Sequence, residues 1–600
     1  TTANMLANYD FGASIDVKVG GASVTGAPVN ARAYLQTLTD ATLLANTVAH
    51  SPDSRYWTQG PVCTTVILCD HTGKSLDFGT TAAKAHRPIF YVEFWTTLGR
   101  YKVRYVIENA DVTKLRGDTG MDVIFTAGNA SPVEKLNQSA VAMAAATWQS
   151  REYWAGAEYP QANINHGLAY LAAIQVLPNF DTSITMHAGA LASYASYLAA
   201  MDKSLGSAGG YTKHMGTTGG RPDLGVINKW ETVLLYSGAA HMHEFATKHC
   251  EFAGSWPIYW REGATGKTFI DATPALGRIV TRNSRPTQRN GSYTNDGTVA
   301  SVDRFTYDGS AGDPNGWEAD NAHFPSMYYV SYLLGGSPFW YELALLIAGW
   351  GTFWGQGVVG YNSLSAGDAP TRLVLHDVQT RGFAWQYRNR VRAWWMSLDG
   401  SPEKALMQKA MDEATAARCG IHGVDEFIGD PIREAWNTNQ ATFWGASRIT
   451  RPNAMGFLSG NEGYNVNDVG GAWPTNSDQS TNALWMINFC VSSLAHAVEL
   501  GYPNAAKLRD FAALTASELA AHRAHGRCTP STTGTTRPMP SRVRTATSSR
   551  PPPGHFSCRT TKTTSTTTTT RARLYCRARK YFLGTTWLYF SMISLARLGR

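Results

Sequence analysis

Hydrophobic and polar residues alternate in the first part of the chain in a way that is typical of β-strands. Ile15, Val17 and Val19 alternate with polar residues, which predicts a strand with one buried face. Residues 89–95 and 101–107 predict two more strands, joined into a hairpin by a short turn that contains glycine. Several short strands with turn residues between them predict a β-sandwich.

After Pro132 the hydrophobic spacing changes to that of a helix. We expect helices over residues 140–153, 168–176, 188–201 and 229–236. The sequence therefore predicts a mainly helical region downstream of the sandwich.

A unit of two helices joined by a glycine-containing turn recurs in this helical region. Three such turns cover residues 335–338, 399–402 and 501–503, and a weaker one lies at 237–238. Each of the first three contains a proline near the first position of the next helix, where its missing N–H costs no hydrogen bond. Because the turns are unevenly spaced and separated by long polar loops, a closed (α/α) toroid is favoured over a regular solenoid.

These patterns predict a multidomain β plus α chain. A β-sandwich domain covers residues 1–131, and an (α/α)-toroid catalytic domain, an incomplete barrel of helical hairpins, covers 132–527. Residues 528–578 have no hydrophobic period and are either a disordered Thr/Pro-rich linker or sequence read out of frame. Residues 579–600 regain hydrophobic spacing and are expected to form a terminal helix of the toroid.

The net charge of +8 comes from the end of the chain. The 600 residues include 53 basic and 45 acidic ones, and 13 of the basic residues but no acidic one follow position 527. Residues 1–527 therefore carry 40 basic and 45 acidic groups, a balance of −5. A nucleic-acid protein spreads its positive charge over a folded face, so this distribution argues against nucleic acid as a partner.

Aromatic residues and glycine are abundant, with 19 Trp, 27 Tyr and 56 Gly. Such a composition is typical of proteins that stack sugar rings on aromatic planes, although a large packed core would have the same composition.

Four motifs carry a resemblance to a known group of proteins. They cover residues 165–170, 219–223, 316–323 and 381–385. In these motifs and in its expected architecture over about residues 1–525, the chain resembles carbohydrate-active (α/α)-toroid enzymes with an N-terminal β-sandwich. These include polysaccharide lyases and exo-rhamnogalacturonan-lyase-like proteins. The resemblance is one of fold, and it implies an enzyme that acts on a glycan.

The most polar motif, residues 316–323, places two carboxylates, an amide, an imidazole and an indole at the entry of a helical hairpin. Asp320 or Asn321 could cap the following helix, but capping needs only one of them. The remaining polar groups suit contact with a ligand, and His323 can exchange a proton near neutral pH.

Two further motifs supply charged and imidazole groups. Arg221 and Asp223 lie in a glycine-rich loop, where a solvated surface ion pair is the alternative interpretation. His166 and Tyr170 are four residues apart and share one face of a predicted helix, where a buried structural histidine is the alternative.

The fourth motif combines guanidinium groups with an indole. Arg381 and Arg388 flank Trp385, and arginine offers a fork that binds carboxylates through two hydrogen bonds. An interhelical salt bridge is an equally good interpretation. Taken together, cationic and imidazole groups in polar loops indicate an anionic ligand such as a uronic-acid polysaccharide.

Other common motifs are excluded by their spacing. Residues 261–268 end like a phosphate-binding loop but have Arg261 where the first glycine must stand, and the chain contains no Gly-x-Ser-x-Gly motif. His241, His243 and His249 lack the spacing of a zinc site. We therefore expect no metal site and no cofactor, with a bound divalent cation as an open alternative.

The leading hypothesis is a polysaccharide lyase that cleaves a uronic-acid-containing glycan by β-elimination. His323 or Tyr170 would be the base or acid, and neutralising and polar groups would stabilise the enolate. The expected catalytic residues are His323, Tyr170, His166, Arg221, Asp320 and Asn321. The expected substrate-binding residues are Trp317, Glu318, Asp223, Trp230, Arg381, Trp385 and Arg388, with Trp317 and Trp385 as stacking surfaces.

Two other functions stay open. A glycoside hydrolase on the same toroid would use Glu318 or Asp320 together with Asp223 or Glu262. A non-catalytic glycan-binding surface protein would have the aromatic residues without an acid/base pair.

The expected partner is a polysaccharide or oligosaccharide, with no nucleic acid and no membrane, and we expect a monomer. The chain begins with Thr rather than Met, so we expect the natural N-terminus and any signal peptide to lie upstream of it. With a glycan substrate, this predicts a secreted or periplasmic protein.

Overall fold

The fold was analysed in a computed structural model of the chain. It describes residues 1–24, 26–46, 54–69, 87–110, 119–126, 132–142, 146–155, 162–178, 181–213, 221, 223–256, 258–259, 261, 317, 323–354, 380–422, 484–510, 512–513 and 516. Nearly all of these residues belong to one compact unit, Thr1–Thr515.

The N-terminal part combines three short helices with ten strands. The helices are α1 (Thr2–Asn8), α2 (Ala31–Gln36) and α3 (Asp40–Ala45). The strands are β1 (Ser14–Val19), β2 (Ala22–Ser23), β3 (Val29–Asn30), β4 (Arg55–Thr58), β5 (Cys63–Cys69), β6 (Arg87–Trp95), β7 (Arg100–Asn109), β8 (Thr119–Thr126), β9 (Pro132–Ala142) and β10 (Ala146–Trp154).

The strands form two antiparallel five-stranded sheets. One has the order β2-β1-β8-β9, with β3 also paired to β1, and the other has the order β10-β7-β6-β5-β4. Tyr105 on β7 joins them, because its ring lies 5.3 Å from that of Phe125 on β8 and its hydroxyl donates to the Thr126 carbonyl.

The predicted hairpin of β6 and β7 is confirmed. Trp95 pairs with Arg100, and Gly99 occupies the left-handed region with φ of 59° in the turn between them. A residue with a side chain would be strained at that position, so glycine suits this tight turn.

The helix expected over residues 140–153 is wrong. β9 and β10 occupy this region, and Trp148 of β10 pairs with Ile107 of β7. The alanine-rich sequence has a high helix propensity, but pairing with strands that are distant in sequence overrides it. β structure therefore extends past residue 131 to Trp154.

The remaining described elements are helical. They are α4 (Leu168–Ala173), α5 (Ala188–Ala200), α6 (Lys229–Ser237), α7 (Ala240–Phe252), α8 (Tyr329–Gly335), α9 (Pro338–Trp354), α10 (Thr380–Met396), α11 (Pro402–His422) and α12 (Leu484–Glu499), with 3-10 turns at Ala253–Ser255 and Pro503–Ala505.

The predicted helical pairs are confirmed at their turns. α8 and α9 flank the turn around Gly336, and α10 and α11 flank the turn around Gly400. Pro338 and Pro402 are the first residues of α9 and α11, as their fixed φ favours. The chain thus contains the strands and helical pairs that a sandwich and a toroid require, while the two architectures themselves stay predictions.

Helix α10 is buried over nearly all of its length. It packs against α9, α11 and α12. Phe383, Trp385 and Tyr387 on α10 are fully buried, and so are three of its arginines: Arg388, Arg390 and Arg392. Because arginine is rarely buried without partners, we expect hydrogen-bonding or charged groups around these three side chains.

Candidate functional site

Two distant chain segments are held against α10 by its arginines. Arg388 donates from Nη2 to the carbonyls of Phe324 at 3.1 Å and Pro325 at 3.0 Å, and from Nη1 to the Gly225 carbonyl. One side chain therefore joins residues that are about a hundred positions apart in the sequence.

Arg392, one turn further along α10, repeats this arrangement. It donates from Nη1 to Ser326 Oγ at 2.8 Å and from Nη2 to the Val226 carbonyl. Asn228 Nδ2 donates to the Ser326 carbonyl at 2.6 Å, so the two segments also bind each other directly.

The predicted pair of Arg221 and Asp223 forms at this place. Arg221 Nε and Nη2 donate to Asp223 Oδ1 and Oδ2 at 3.0 and 3.1 Å, and Nη2 also donates to the His323 carbonyl at 3.2 Å. Both residues are buried, so the alternative of a solvated surface pair is wrong. Burial raises the pKa of Asp223, and Arg221 opposes this rise. The remaining Arg221 nitrogen, Nη1, is buried, and no residue that the structure describes forms a hydrogen bond with it.

Glu231 lies near the start of α6 and faces the arginines. Asn228 caps this helix, and its Oδ1 accepts from the Glu231 N–H at 2.8 Å. Glu231 is fully buried, and burial raises the pKa of its carboxyl to about 7, against the charges of Arg392 and Arg388. Within the described ranges its Oε2 has no hydrogen-bond partner. This carboxyl can hold or release a proton near neutral pH.

Tyr328 immediately precedes α8 and contributes a phenol to the same place. Burial raises its pKa to about 12, and the charges of Arg392 and Arg388 oppose this rise. Its hydroxyl is buried and has no hydrogen-bond partner among the described residues. The residues Arg221, Asp223, Glu231, Tyr328, Arg388 and Arg392 are called the buried arginine cluster below.

Aromatic rings surround the cluster. Trp317 is buried, donates from Nε1 to the Gly206 carbonyl at 3.1 Å, and lies 4.7 Å from the Trp256 ring. The Trp385 ring lies 4.8 Å from the Arg388 guanidinium. Trp230 packs 4.5 Å from the ring of His249. These three indole rings pack against other protein groups, as side chains in the wall of a binding site do.

The structure brings together seven of the residues expected from the sequence. They are Arg221, Asp223, Trp230, Trp317, His323, Trp385 and Arg388. His323 is buried at the beginning of the segment that Arg388 holds.

The other expected residues lie elsewhere. Tyr170 is 66% exposed on α4 and so lies outside the buried cluster, and His166 is half-buried beside His243 of α7. Burial lowers the pKa of His166. Arg381 is buried in the first turn of α10, two turns before Arg388. Glu262, Glu318, Asp320 and Asn321 lie outside the described residues.

Sequence reasoning missed Glu231, Tyr328 and Arg392. Two signals could have found Glu231 and Arg392: the Arg-x-Arg-x-Arg spacing from Arg388 to Arg392 in a helix rich in aromatic residues, and the capping-box spacing from Asn228 to Glu231. No local signal distinguishes Tyr328 from the tyrosine that follows it.

His241 and His249 of α7 have separate hydrogen-bond partners. His241 Nε2 lies 3.1 Å from the Leu191 carbonyl, while His249 Nδ1 lies 2.7 Å from the Phe245 carbonyl and its Nε2 accepts from the Gly210 N–H. Burial lowers the pKa of His249 to about 4, so it is neutral at pH 7. Within the described ranges, no group of three or more His, Cys, Asp or Glu side chains is placed to hold a metal ion.

Comparison with known protein families, with curated proteins and with solved structures found no match to this chain. Among the described helices, none is both long and apolar enough to cross a membrane.

Proposed function

We propose that this protein is a carbohydrate-active enzyme, a polysaccharide lyase that cleaves a uronic-acid-containing glycan by β-elimination. The observation that carries the proposal is the environment of Tyr328. Its buried hydroxyl has no hydrogen-bond partner in the part of the chain that the structure describes, and it lies in the field of two guanidinium groups. β-Elimination needs a proton-transfer group close to positive charge, because an enolate develops on the substrate.

In the proposed reaction a base removes the C5 proton of the uronate. The electrons of the C5–H bond form the C4–C5 double bond as the C4–O4 bond breaks, and the leaving O4 takes a proton from an acid. We assign His323 as the base and the Tyr328 hydroxyl as the acid, and exchange with solvent restores both groups. Tyr328 thus takes the part that the sequence assigned to Tyr170, which is exposed.

The charge of the buried arginine cluster supports an anionic substrate. Its three guanidinium groups outnumber its two carboxyl groups, and burial keeps part of the Glu231 population protonated near neutral pH. A buried excess of positive charge is costly unless an anion compensates it. The unpartnered Nη1 of Arg221 is the donor assigned to the substrate carboxylate.

The aromatic residues around the cluster give the proposal a second support. Trp317 precedes the His323 segment and is assigned to the wall that faces the sugar, while Trp385 supports the Arg388 guanidinium from below. The substrate and partner proposed for this site is a polysaccharide or oligosaccharide, bound by a secreted or periplasmic monomer without a resident cofactor.

A glycoside hydrolase is the second candidate, and one observation favours it. Asp223 and Glu231 both belong to the cluster, and burial raises the pKa of each. A hydrolase needs one carboxyl group as acid and one as base or nucleophile. The lyase is preferred because both oxygens of Asp223 are engaged by Arg221.

The proposal is tested by incubating the purified protein with a panel of uronate polysaccharides. A lyase creates a conjugated double bond, so ultraviolet absorbance rises in step with the reducing ends. His323→Ala should abolish this rise, whereas His187→Asn, at an exposed helix cap, should not. Reducing ends without absorbance would support the hydrolase instead, and binding without either signal would support a glycan-binding protein.

A further inference from the structure

We propose that Arg388 and Arg392 are positioning residues, which hold the segments 225–226 and 324–326 in register. In this way the Arg221–Asp223 pair and His323 keep the arrangement in which they act. The catalytic part of the inference rests on the proposed function, while the structural part stands on the hydrogen bonds alone.

The contacts of the two arginines are directed at main-chain carbonyls rather than at carboxylates. Arg388 donates to Gly225, Phe324 and Pro325, and Arg392 donates to Val226 and to the Ser326 hydroxyl. Segments without regular secondary structure have carbonyls that need partners, and these guanidinium groups supply them. Each arginine thus binds both segments at once, Arg388 through main-chain carbonyls and Arg392 through one carbonyl and the Ser326 side chain.

The burial of the two guanidinium groups indicates that they have a role other than stabilising the fold. Arg388 and Arg392 are fully buried, and Glu231 is the carboxylate among the described residues that interacts with Arg392. A buried charge of this kind is a poor source of stability compared with an apolar side chain. What it provides here is the relative placement of two segments.

That placement reaches the candidate catalytic groups directly. The Arg221 Nη2 that pairs with Asp223 also binds the His323 carbonyl, and Asn228 binds the Ser326 carbonyl. A shift of one segment against the other therefore moves His323 relative to Arg221. Misplacing a reacting group by about 1 Å can lower a rate about 100-fold.

Substitution by lysine separates the effect of the forked guanidinium from the effect of its positive charge. A lysine keeps the positive charge but offers a single nitrogen, which cannot reach two carbonyls in the fixed geometry of a guanidinium. The chain also offers a matched control, because Arg390 is equally buried on the same helix but donates to the Ala410 carbonyl of α11.

The experiment compares Arg388→Lys, Arg392→Lys and Arg390→Lys in the full chain. Hydrogen exchange is measured over residues 223–228 and 323–328, together with kcat and KM on the uronate polymer that the wild-type protein cleaves best. We expect exchange in both segments to rise at least about 10-fold in the first two variants and to stay unchanged in Arg390→Lys. We expect kcat to fall about 100-fold with KM within about threefold of wild type.

A milder variant covers the case in which the lysine variants do not fold. Ser326→Ala removes one acceptor of Arg392 and leaves both arginines in place. It should raise hydrogen exchange in residues 323–328 and lower kcat, each by a smaller factor than in the lysine variants.

The exchange data and the turnover data decide different claims. If the segments exchange at the same rate in Arg388→Lys, Arg392→Lys and Arg390→Lys, the positioning inference is overturned. If the exchange rises but kcat stays at the wild-type value, the catalytic part is overturned. A wild-type protein that cleaves no uronate polymer contradicts the proposed function, and the exchange result then still decides whether the arginines hold the segments.

Discussion

Two consecutive tyrosines have opposite surroundings. The Tyr329 hydroxyl donates to the Val176 carbonyl at 2.6 Å, whereas the Tyr328 hydroxyl has no hydrogen-bond partner in the described part of the chain. Both side chains are fully buried. A buried hydroxyl without a partner adds nothing to stability, so a function is the better explanation for Tyr328.

Replacing each tyrosine by phenylalanine separates stability from activity. Tyr329→Phe should lower the free energy of unfolding by about 1–3 kcal/mol, because the Val176 carbonyl loses its partner. Tyr328→Phe should leave that free energy nearly unchanged and lower turnover at least about 100-fold. Urea denaturation and turnover of both variants check this, and a Tyr328→Phe protein with normal turnover would exclude Tyr328 as the acid.

Glu231 should make stability depend on pH. Its pKa is raised from 4.5 to about 7 in the folded protein, so the folded state keeps a proton that the unfolded state has lost in this range. The contribution of Glu231 is therefore fully present below about pH 4.5 and is lost as pH rises through about 7. The loss amounts to about 3 kcal/mol.

Glu231→Gln provides the comparison. Since glutamine does not titrate, the difference in unfolding free energy between the variant and the wild-type protein should change by about 3 kcal/mol between pH 4.5 and pH 8. Urea denaturation at several pH values measures it. Parallel pH profiles for the two proteins would show that the Glu231 carboxyl is not buried as described.

At the scale of elements, the sequence predicted what local signals determine. The hairpin at Gly99 and the helical pairs follow from glycine, proline and hydrophobic spacing within a few residues. The end of β9 and most of β10 were predicted as a helix, because their partners, β8 and β7, are needed to recognise them as strands. Only long-range pairing distinguishes the two structures there.

The same distinction applies to the candidate site. Arg221, Asp223 and His323 lie in short polar motifs, so the sequence predicted them as site residues. Glu231 and Arg392 are more than 150 residues apart, and their environment depends on the interaction between them. The spacing of His166 and Tyr170 predicted one shared helical face, and this prediction is wrong. The helix α4 begins only at Leu168, after Gly167 in the left-handed region, and Tyr170 is exposed on it. Burial is a property of the assembled fold.

The turn between α6 and α7 gives a prediction at this scale. Gly238 has a φ of 58°, and a Cβ there would lie 2.0 Å from the Ile164 carbonyl oxygen, while Gly400 has a φ of 76° and open space around it. Gly400→Ala should cost about 1 kcal/mol of unfolding free energy, from the left-handed backbone alone. Gly238→Ala should cost more than about 3 kcal/mol, because the backbone at Ile164 must also move. Equal values in urea denaturation would contradict this packing.

At the scale of the whole molecule, a buried ionic network joins the second sheet to α9. Glu342 on α9 accepts from Arg55 of β4 at 2.7 Å, from Tyr91 of β6 at 2.8 Å and from Arg261 at 3.0 Å. Arg261 also donates to Glu108 of β7 at 2.6 Å. The helical part is thereby tied to three strands through one carboxylate.

Removing that carboxylate should destabilise the fold strongly. Glu342→Gln leaves two buried guanidinium groups short of charge, and we expect a loss of about 3–5 kcal/mol in unfolding free energy. Asp399→Asn breaks an exposed pair with Lys404 and should leave the unfolding free energy nearly unchanged. Chemical denaturation of both variants checks this, and similar small losses would mean that the network does not hold sheet and helices together.

We propose that the protein as a whole catalyses β-elimination on a uronate polymer. The most direct measurement is mass spectrometry of the products formed in water labelled with oxygen-18. Elimination adds no water across the broken bond, so we predict products with an unsaturated, unlabelled uronate at the new non-reducing end. Products with one labelled oxygen and no unsaturation would contradict the account and establish hydrolysis.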